Sequence, residues 1–252
     1  MENPYVLAAG AIFIYMMGWF IAAQIKKDNS IVDIAWGLGF VVVAWLVHRE
    51  FAHPAQVALT GMVTLWGLRL AGYLWFRNRK TGEDWRYQKW RRAWGDRVVV
   101  IAFFRVFMLQ GALMWLIALP VMQVPEAGEN ADFPAPVQWL GMAVFLAGWV
   151  IETLADEQLR RFKSKPENAG KVLRSGLWAK SRHPNYFGEI VVWWGIFLFV
   201  LPFSTWYVAV IGPAVITFFL MRVSGVPMLE RRFRDNPDYE AYKKASNALW
   251  PF

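Results

Sequence analysis

The sequence predicts an all-α, polytopic membrane protein with about seven transmembrane helices. Of its 252 residues, 57% are hydrophobic and 17% aromatic, including 16 Trp, which is more apolar than an ordinary soluble domain. Apolar segments of the length that spans a bilayer, roughly 20 residues, recur along the chain. The sequence shows no internal repeat and no soluble domain. We therefore expect one integral-membrane domain over residues 1–252.

Seven apolar segments account for most of the chain. The sixth is expected to begin near Asn185, because Pro184 suits the first helical position, where its missing N–H would be unpaired anyway. The sixth and seventh segments are separated by little more than the stretch around residues 201–204, which predicts a tight helical hairpin. The predicted spans are 5–25, 31–48, 55–76, 98–122, 134–154, 185–201 and 204–223.

The distribution of Lys and Arg predicts an outside N-terminus and a cytoplasmic C-terminus. Nearly all loop cations, Lys80 among them, follow predicted spans 1, 3, 5 and 7, whereas the opposite loops contain only Arg49. The loop with Glu126, Glu129 and Asp132 has no cation. The net charge of +8 is therefore expected to lie almost wholly on the cytoplasmic side.

Two counts limit the chemistry. The chain has no Cys, which excludes disulfides, thiolate catalysis and Cys-ligated metal. Its three His residues, His48, His53 and His183, are scattered, so a dedicated transition-metal site is not expected.

Residues 172–194 are predicted to contain an anion site. Arg174, Arg182 and, when protonated, His183 precede a helix whose N-terminus presents free N–H groups and partial positive charge. Asn185 and Glu189 are four residues apart and share one face of that helix, where they could bind the uncharged part of the same ligand. The alternative is an ordinary membrane-boundary cluster, with the cations in the headgroups and Glu189 as a first-turn partner of the helix dipole.

Two further polar patterns lie on the predicted cytoplasmic side. Glu152, Asp156 and Arg160 are spaced by four and share one face at the end of span 5, where carboxylates usually face protein or water. The loop 77–97 mixes cations with four aromatic residues, as an interfacial helix would, or as the roof of a pocket would.

Asp33 and Tyr73 are the candidate catalytic residues of the neighbouring spans 2 and 3. Tyr73 shares a stripe with Arg69, which points toward the cytoplasmic end. Asp33 has a structural alternative, because Ser30 and Asp33 fit a capping box at the start of span 2. Asp33 could also serve both purposes.

Three motifs stand out in the second half of the chain: Arg174-Ser-Gly-Leu, Arg182-His-Pro-Asn-Tyr-Phe-Gly-Glu189 and the tail Glu230-Arg-Arg-Phe with Tyr239, Tyr242 and Leu249-Trp-Pro-Phe. Together they resemble the steroid 5-alpha-reductase superfamily, in a bacterial branch. The likeness covers about residues 150–252 and extends to the Asp156/Arg160 spacing and the Asn78-Arg79 pair. Sterol C14-reductases and isoprenylcysteine carboxyl methyltransferases share a related C-terminal half.

The resemblance implies a reductase of the bacterial inner membrane that takes NADPH from the cytosol and reduces an activated carbon–carbon double bond of a lipid, such as a 3-oxo-4-ene steroid. The steroid reductases bind the conjugated carbonyl with a Gln-Glu pair on span 2. This sequence has no such pair. Asp33 and Tyr73 are the nearest candidates by chemistry, and we expect them to approach each other. The resemblance and the cationic cluster before α8 together give the expected cofactor contacts, which are Asn78, Asp156, Arg160, Arg174, Arg182, His183, Asn185 and Glu189.

Two other functions remain open. A membrane methyltransferase that uses S-adenosylmethionine also carries R-H-P-x-Y-x-G and a proline near the end of its tail, although Glu189 after Gly188 and the Asp156/Arg160 pair favour the reductase. The other is a transporter or structural membrane protein. Transport sites tend to lie at mid-membrane, whereas the polar residues of this chain gather at one face.

Overall fold

The computed structural model describes residues 3–50, 53–79, 82–124 and 133–252, and all regular secondary structure in these ranges is helical. Seven of its helical stretches are long and apolar enough to cross a membrane, which confirms the predicted fold class. The orientation of the termini stays a prediction. Lys80 and the loop with Glu126, Glu129 and Asp132 lie outside the described residues. The seven stretches are Pro4–Lys26, Asn29–Val47, Pro54–Asn78, Trp85–Ile117, Pro136–Lys163, Pro184–Phe203 and Trp206–Arg231.

Twelve α-helices make up these stretches and the tail of the described chain. Two π-helical turns, Phe103–Met108 and Phe219–Val223, interrupt the fourth and seventh stretches. The helices are α1 Pro4–Lys26, α2 Val32–Val47, α3 Pro54–Asn78, α4 Trp85–Trp94, α5 Val98–Ala102, α6 Leu109–Ile117, α7 Pro136–Lys163, α8 Pro184–Val200, α9 Trp206–Ala209, α10 Ile211–Phe218, α11 Val226–Arg232 and α12 Pro237–Ala245.

The chain forms two compact units. The first unit comprises Met1–Phe133 with Phe203–Ile211, and the second comprises Pro134–Pro202 with Gly212–Phe252. The single domain over residues 1–252 stays a prediction.

Helices α2 and α3 of the first unit are held together by a glycine contact. A Cβ on Gly37 would lie 2.6 Å from the carbonyl oxygen of Gly67, and a Cβ on Gly67 would lie 2.5 Å from that of Gly37. Phe40 and Trp66 fill the adjacent core, with ring centroids 5.5 Å apart. The two backbones can approach this closely only because both positions lack a side chain.

Helices α7 and α8 of the second unit form an antiparallel pair with a seam of glycines. Gly141 faces Gly195, and Gly148 faces Gly188, so close that a Cβ on any of the four would lie under 3.0 Å from the opposite backbone. Gly141 and Gly148 are seven positions apart, about two helical turns, and therefore share one face. Glu152 and Asp156 lie further along the same face of α7, so the close packing at the seam places their carboxylates beside the start of α8.

Candidate functional site

Two buried carboxylates of α7 meet the first turns of α8. Glu152 is 2% exposed and Asp156 is 3% exposed. Asn185 donates a hydrogen bond from Nδ2 to Asp156 Oδ1 at 3.2 Å, and the Cβ of Glu152 lies against Gly188. Glu189 is also buried, one turn beyond Asn185. The structure thus brings the predicted residues Asp156 and Asn185 together, with Glu189 on the following turn.

Helix α8 begins at Pro184, which confirms the helix start that the sequence predicts. His183 occupies the N-cap position and makes no side-chain cap hydrogen bond. Its backbone N–H is instead satisfied by Ser181 Oγ at 3.2 Å. The first turn of α8 therefore keeps N–H groups that no cap side chain occupies, as an anion site requires.

The imidazole of His183 is buried and stacks on the ring of Tyr186, with centroids 5.4 Å apart and planes at 10°. Nε2 lies 4.0 Å from Glu230 Oε1, and no described group is within hydrogen-bonding reach of it. Burial lowers the pKa of His183 to about 4, although the Glu230 carboxylate opposes the shift. His183 is therefore neutral at pH 7 and adds no cation to the cluster.

Arg182 is buried, and its guanidinium joins the loop before α8 to the C-terminal tail. Nε donates to Glu230 Oε1 at 2.8 Å, and Nη1 donates to the carbonyls of Lys243 and Ser246 at 3.2 and 2.5 Å. Lys243 Nζ completes the ion pair at 2.9 Å from Glu230 Oε2. These contacts give Arg182 a structural role, and its assignment as a cofactor contact stays a prediction.

The tail is also bound to the same loop through backbone groups. Asn247 donates from its backbone N–H to the Lys180 carbonyl at 2.7 Å and accepts from the Arg182 N–H at 2.9 Å. Ser181 Oγ donates to the Leu249 carbonyl at 2.8 Å. The tail and the loop before α8 therefore hold each other through backbone as well as side-chain hydrogen bonds.

Tyr242 of α12 lies under this junction. Its hydroxyl is 2.5 Å from the Trp178 carbonyl oxygen and 2.7 Å from that of Ser181, and donates to one of them at a time. Burial raises the pKa of Tyr242 to about 12, so the hydroxyl keeps its proton at neutral pH.

The two remaining predicted arginines of the second unit lie at the surface. The guanidinium of Arg174 lies 5.7 Å from the centre of the Tyr242 ring and donates to the Asp238 carbonyl. Arg160 pairs with Glu157 through Nε and Nη2 at 2.6 and 2.7 Å, with 57% of its side chain exposed. Both side chains are exposed to solvent, as residues that bind a soluble anion must be.

Asp33 of the first unit contacts helix α4. Its carboxylate accepts from Arg86 Nη2 at 2.5 Å and from the Tyr87 hydroxyl at 2.6 Å. The capping alternative for Asp33 is wrong, because Asp28 accepts from the Ser30 N–H and hydroxyl at 2.8 and 2.6 Å. The N-cap of α2 is Ile31, which has no side-chain cap hydrogen bond.

The other predicted residues of the first unit lie at the end of α3. The ring of Tyr73 has the guanidinium groups of Arg69 and Arg77 each 5.8 Å from its centre. Asn78 is half-buried and accepts from Arg77 Nε at 2.9 Å. The approach of Asp33 to Tyr73, and the role of Asn78 as a cofactor contact, stay predictions.

Four residues that contact the predicted residues or the loop before α8 have no role assigned from the sequence. Glu230 and Tyr242 belong to the tail motif, which is recognisable in the sequence, but the sequence does not indicate which residues they contact. Arg86 and Tyr87 lie among the cations and aromatics of loop 77–97, whose composition is sufficient to explain them as interfacial residues.

These features define the protein as a seven-span helical membrane protein with a buried polar cluster where α7 meets the start of α8. The chain belongs to the family described as protein of unknown function DUF1295, whose profile matches residues 19–246. Its curated relatives include a sterol reductase and steroid 4-dehydrogenases, which confirms the resemblance to the steroid 5-alpha-reductase superfamily.

Three curated relatives illustrate the similarity. An uncharacterized protein of Schizosaccharomyces pombe is 25% identical over 78% of this chain and 64% of its own length. A Delta(14)-sterol reductase of Ascobolus immersus is 31% identical over 42% of this chain and 29% of its own. The 3-oxo-5-alpha-steroid 4-dehydrogenase 1 of Macaca fascicularis is 31% identical over 45% and 40%. The chain thus spans less than two thirds of each relative's length, and no solved structure matches it.

Proposed function

We propose that this protein is a membrane-embedded reductase that uses NADPH to reduce an activated carbon–carbon double bond of a lipid, such as a 3-oxo-4-ene steroid. The observation that carries the proposal is the hydrogen bond between Asn185 and Asp156, which holds an amide and a buried carboxylate together at the N-terminus of a membrane helix. The names of the sterol and steroid relatives support the same reaction class.

The residues present fit a dinucleotide phosphate. The N-terminus of α8, which has no side-chain cap, and the exposed guanidinium of Arg174 suit phosphate oxygens. Arg160 is exposed nearby along the chain of α7 and offers a second charged donor. His183 Nε2 is a buried ring nitrogen with no described hydrogen-bond partner, as a group awaiting a ligand would be.

The uncharged parts of the cofactor suit the other members of the cluster. Glu189 and Asp156 accept hydrogen bonds, as ribose hydroxyls and a carboxamide require. Asn185 can both donate and accept, and its contact with Asp156 fixes the direction of its amide. These residues bind and orient, while the glycine seam lets their helices approach closely.

The nicotinamide, when bound, supplies a hydride to one carbon of the double bond. The other carbon then needs a proton, which a phenol can donate. Tyr73 was the phenol expected from the sequence, and Tyr87 is a second candidate because Asp33 accepts directly from its hydroxyl. Asp33 accepts from Arg86 as well as from Tyr87, so its role in this proposal is to orient the phenol.

We place the protein in the bacterial inner membrane, with the cofactor site on the cytoplasmic side. NADPH is a soluble cytosolic polyanion, and the cations that suit it lie in loops that the charge distribution assigns to that side. The apolar spans suit a substrate that is itself a lipid.

Isotope transfer tests the reaction class. Purified protein in lipid nanodiscs would be incubated with NADPH deuterated at C4, or with S-adenosylmethionine carrying a deuterated methyl group, and a panel of unsaturated lipids including 3-oxo-4-ene steroids. The proposal expects a product one deuterium heavier at the former double bond. A product that gains the labelled methyl group would contradict the reductase and support a methyltransferase.

A further inference from the structure

Helix α4 has one face that is fully engaged with the rest of its unit. Arg86 and Tyr87 contact Asp33, as described above. Arg91 donates from Nε and Nη2 to the two carboxylate oxygens of Glu83, both at 2.9 Å, and from Nη2 to the Lys27 carbonyl at 3.1 Å. These contacts fix the rotation of α4 about its axis.

The opposite face of α4 is cationic and exposed. Lys89 and Arg92 are three residues apart and share this face, which lies across the helix from Tyr87 and Arg91. Neither makes an ion pair with any described residue, and neither does Arg97, which ends the turn after α4. Arg86 and Arg91 thus have partners within the unit, whereas these three cations are left to solvent or to a ligand outside it.

The chain passes directly from this cationic helix into an apolar span. A 3₁₀ turn, Gly95–Arg97, leads from α4 into α5. Val100 and Phe104 follow and are 62% and 61% exposed, as side chains in contact with lipid tails would be. Arg97 therefore stands where the surface changes from polar to apolar, the level of the phospholipid headgroups.

Arg105 extends the cationic surface into the span. It lies in the π-helical turn Phe103–Met108, is exposed, and has no ion-pair partner among the described residues. It follows Arg97 by eight positions, about two helical turns, and so lies near the same side. Helical side chains lean toward the N-terminus, so the guanidinium can extend back toward Arg97. A charge in a span is costly, and this extension lowers the cost because it brings the guanidinium toward the headgroup level.

We propose that Lys89, Arg92, Arg97 and Arg105 form a binding site for the headgroup of an anionic phospholipid. The phosphate accepts hydrogen bonds from Arg97 and Arg105, and Lys89 and Arg92 attract further negative charge of the headgroup. The acyl chains lie along Val100 and Phe104. The π-helical turn contributes by setting the direction of Arg105, in line with the frequent occurrence of such turns at functional sites. This site does not depend on the proposed reductase activity.

Native mass spectrometry of the detergent-purified full chain tests this site. The protein would be titrated with phosphatidylglycerol and, separately, with phosphatidylcholine of the same acyl chains. We expect selective retention of phosphatidylglycerol, reduced at least about fivefold in Arg97→Gln/Arg105→Gln. Lys165→Gln/Lys171→Gln removes the same charge from exposed loop positions and should retain the lipid as the wild type does.

A second variant and a second ligand complete the test. Lys89→Gln/Arg92→Gln changes only exposed positions of α4 and should also lower retention, with an unchanged melting temperature. Equal retention in this variant and in the loop control would contradict the proposal. Displacement of the lipid by inorganic phosphate or by NADPH would also contradict it, because the cations would then serve a soluble phosphate rather than a lipid.

Discussion

Asn185 donates a hydrogen bond to Asp156 across 3.2 Å, which joins the first turn of α8 to a buried carboxylate of α7. This contact is possible because the glycine seam lets the two helices approach. Gly188 lies one turn from Asn185, and its backbone packs directly on Glu152. The geometry of the polar cluster is therefore set by the absence of side chains next to it.

Gly188→Ala is expected to destabilise the protein by about 1–3 kcal/mol, because the new Cβ would lie 2.6 Å from the Glu152 backbone nitrogen and force the helices apart. Gly10→Ala is the matched control, since no atom lies within 4 Å of its added Cβ. Thermal denaturation in detergent would compare the two. Equal melting temperatures would show that the seam does not set the helix separation.

Asp33→Asn is expected to cost about 1–3 kcal/mol, because it removes one of the two carboxylates that pair with the partly buried guanidinium of Arg86 and leaves only Asp84, at 2.9 Å. Arg161→Gln breaks a pair with Glu157 in which 75% of the arginine side chain is exposed, and should cost less than about 0.5 kcal/mol. Chemical denaturation would measure both. A loss in Asp33→Asn no larger than in the control would mean that the pair with Arg86 contributes little.

Tyr87→Phe and Tyr73→Phe separate the two candidate proton donors. Removal of a positioned general acid slows turnover by about 100-fold or more. We expect this loss in Tyr87→Phe, because Asp33 orients its hydroxyl, with NADPH affinity unchanged in both variants. Single-turnover rates of substrate reduction would measure it. A large loss confined to Tyr73→Phe would return the role to the residue expected from the sequence.

The stability of the second unit should depend on pH through His183. Its pKa is about 4 in the folded protein against an ordinary value of 6.5, so below pH 6.5 the unfolded chain binds a proton that the folded chain does not. Unfolding becomes easier as the pH falls from 6.5 to 4, by up to about 3 kcal/mol.

His183→Gln removes this dependence while it keeps a polar side chain of similar size. Melting temperatures of the wild type and the variant would be compared between pH 7.5 and 4.5. We expect the wild type to lose more stability than the variant over this range. Parallel curves would contradict the burial of a neutral His183.

The local features of this fold could be predicted from the sequence. The seven spans follow from apolar length, and the start of α8 follows from the fixed φ and missing N–H of Pro184. The pairing of Asp156 with the first turn of α8 could be predicted only in part. The sequence indicates a polar face at the end of span 5 and a basic cluster before α8, but not that the two meet.

The long-range contacts could not be predicted. Asp33 and Arg86 are 53 positions apart, and Arg182 and Glu230 are 48 apart, so no periodicity connects them. Ser30 and Asp33 have the residue types of a capping box, but in the structure the Ser30 N–H donates to Asp28 instead. By sequence alone, Asp28, two residues before Ser30, and Asp33, three residues after it, are equally good acceptors for the Ser30 N–H.

Binding of NADPH to the purified protein tests the account most directly. We expect the wild type to bind NADPH and not S-adenosylmethionine in isothermal titration. Arg174→Ala and Glu189→Ala should each weaken binding at least tenfold, about 1.4 kcal/mol, while the protein stays folded. Lys180→Ala, an exposed cation of the same loop outside the proposed contacts, should bind as the wild type does. Normal NADPH affinity in both variants, or binding of S-adenosylmethionine in place of NADPH, would contradict the reductase.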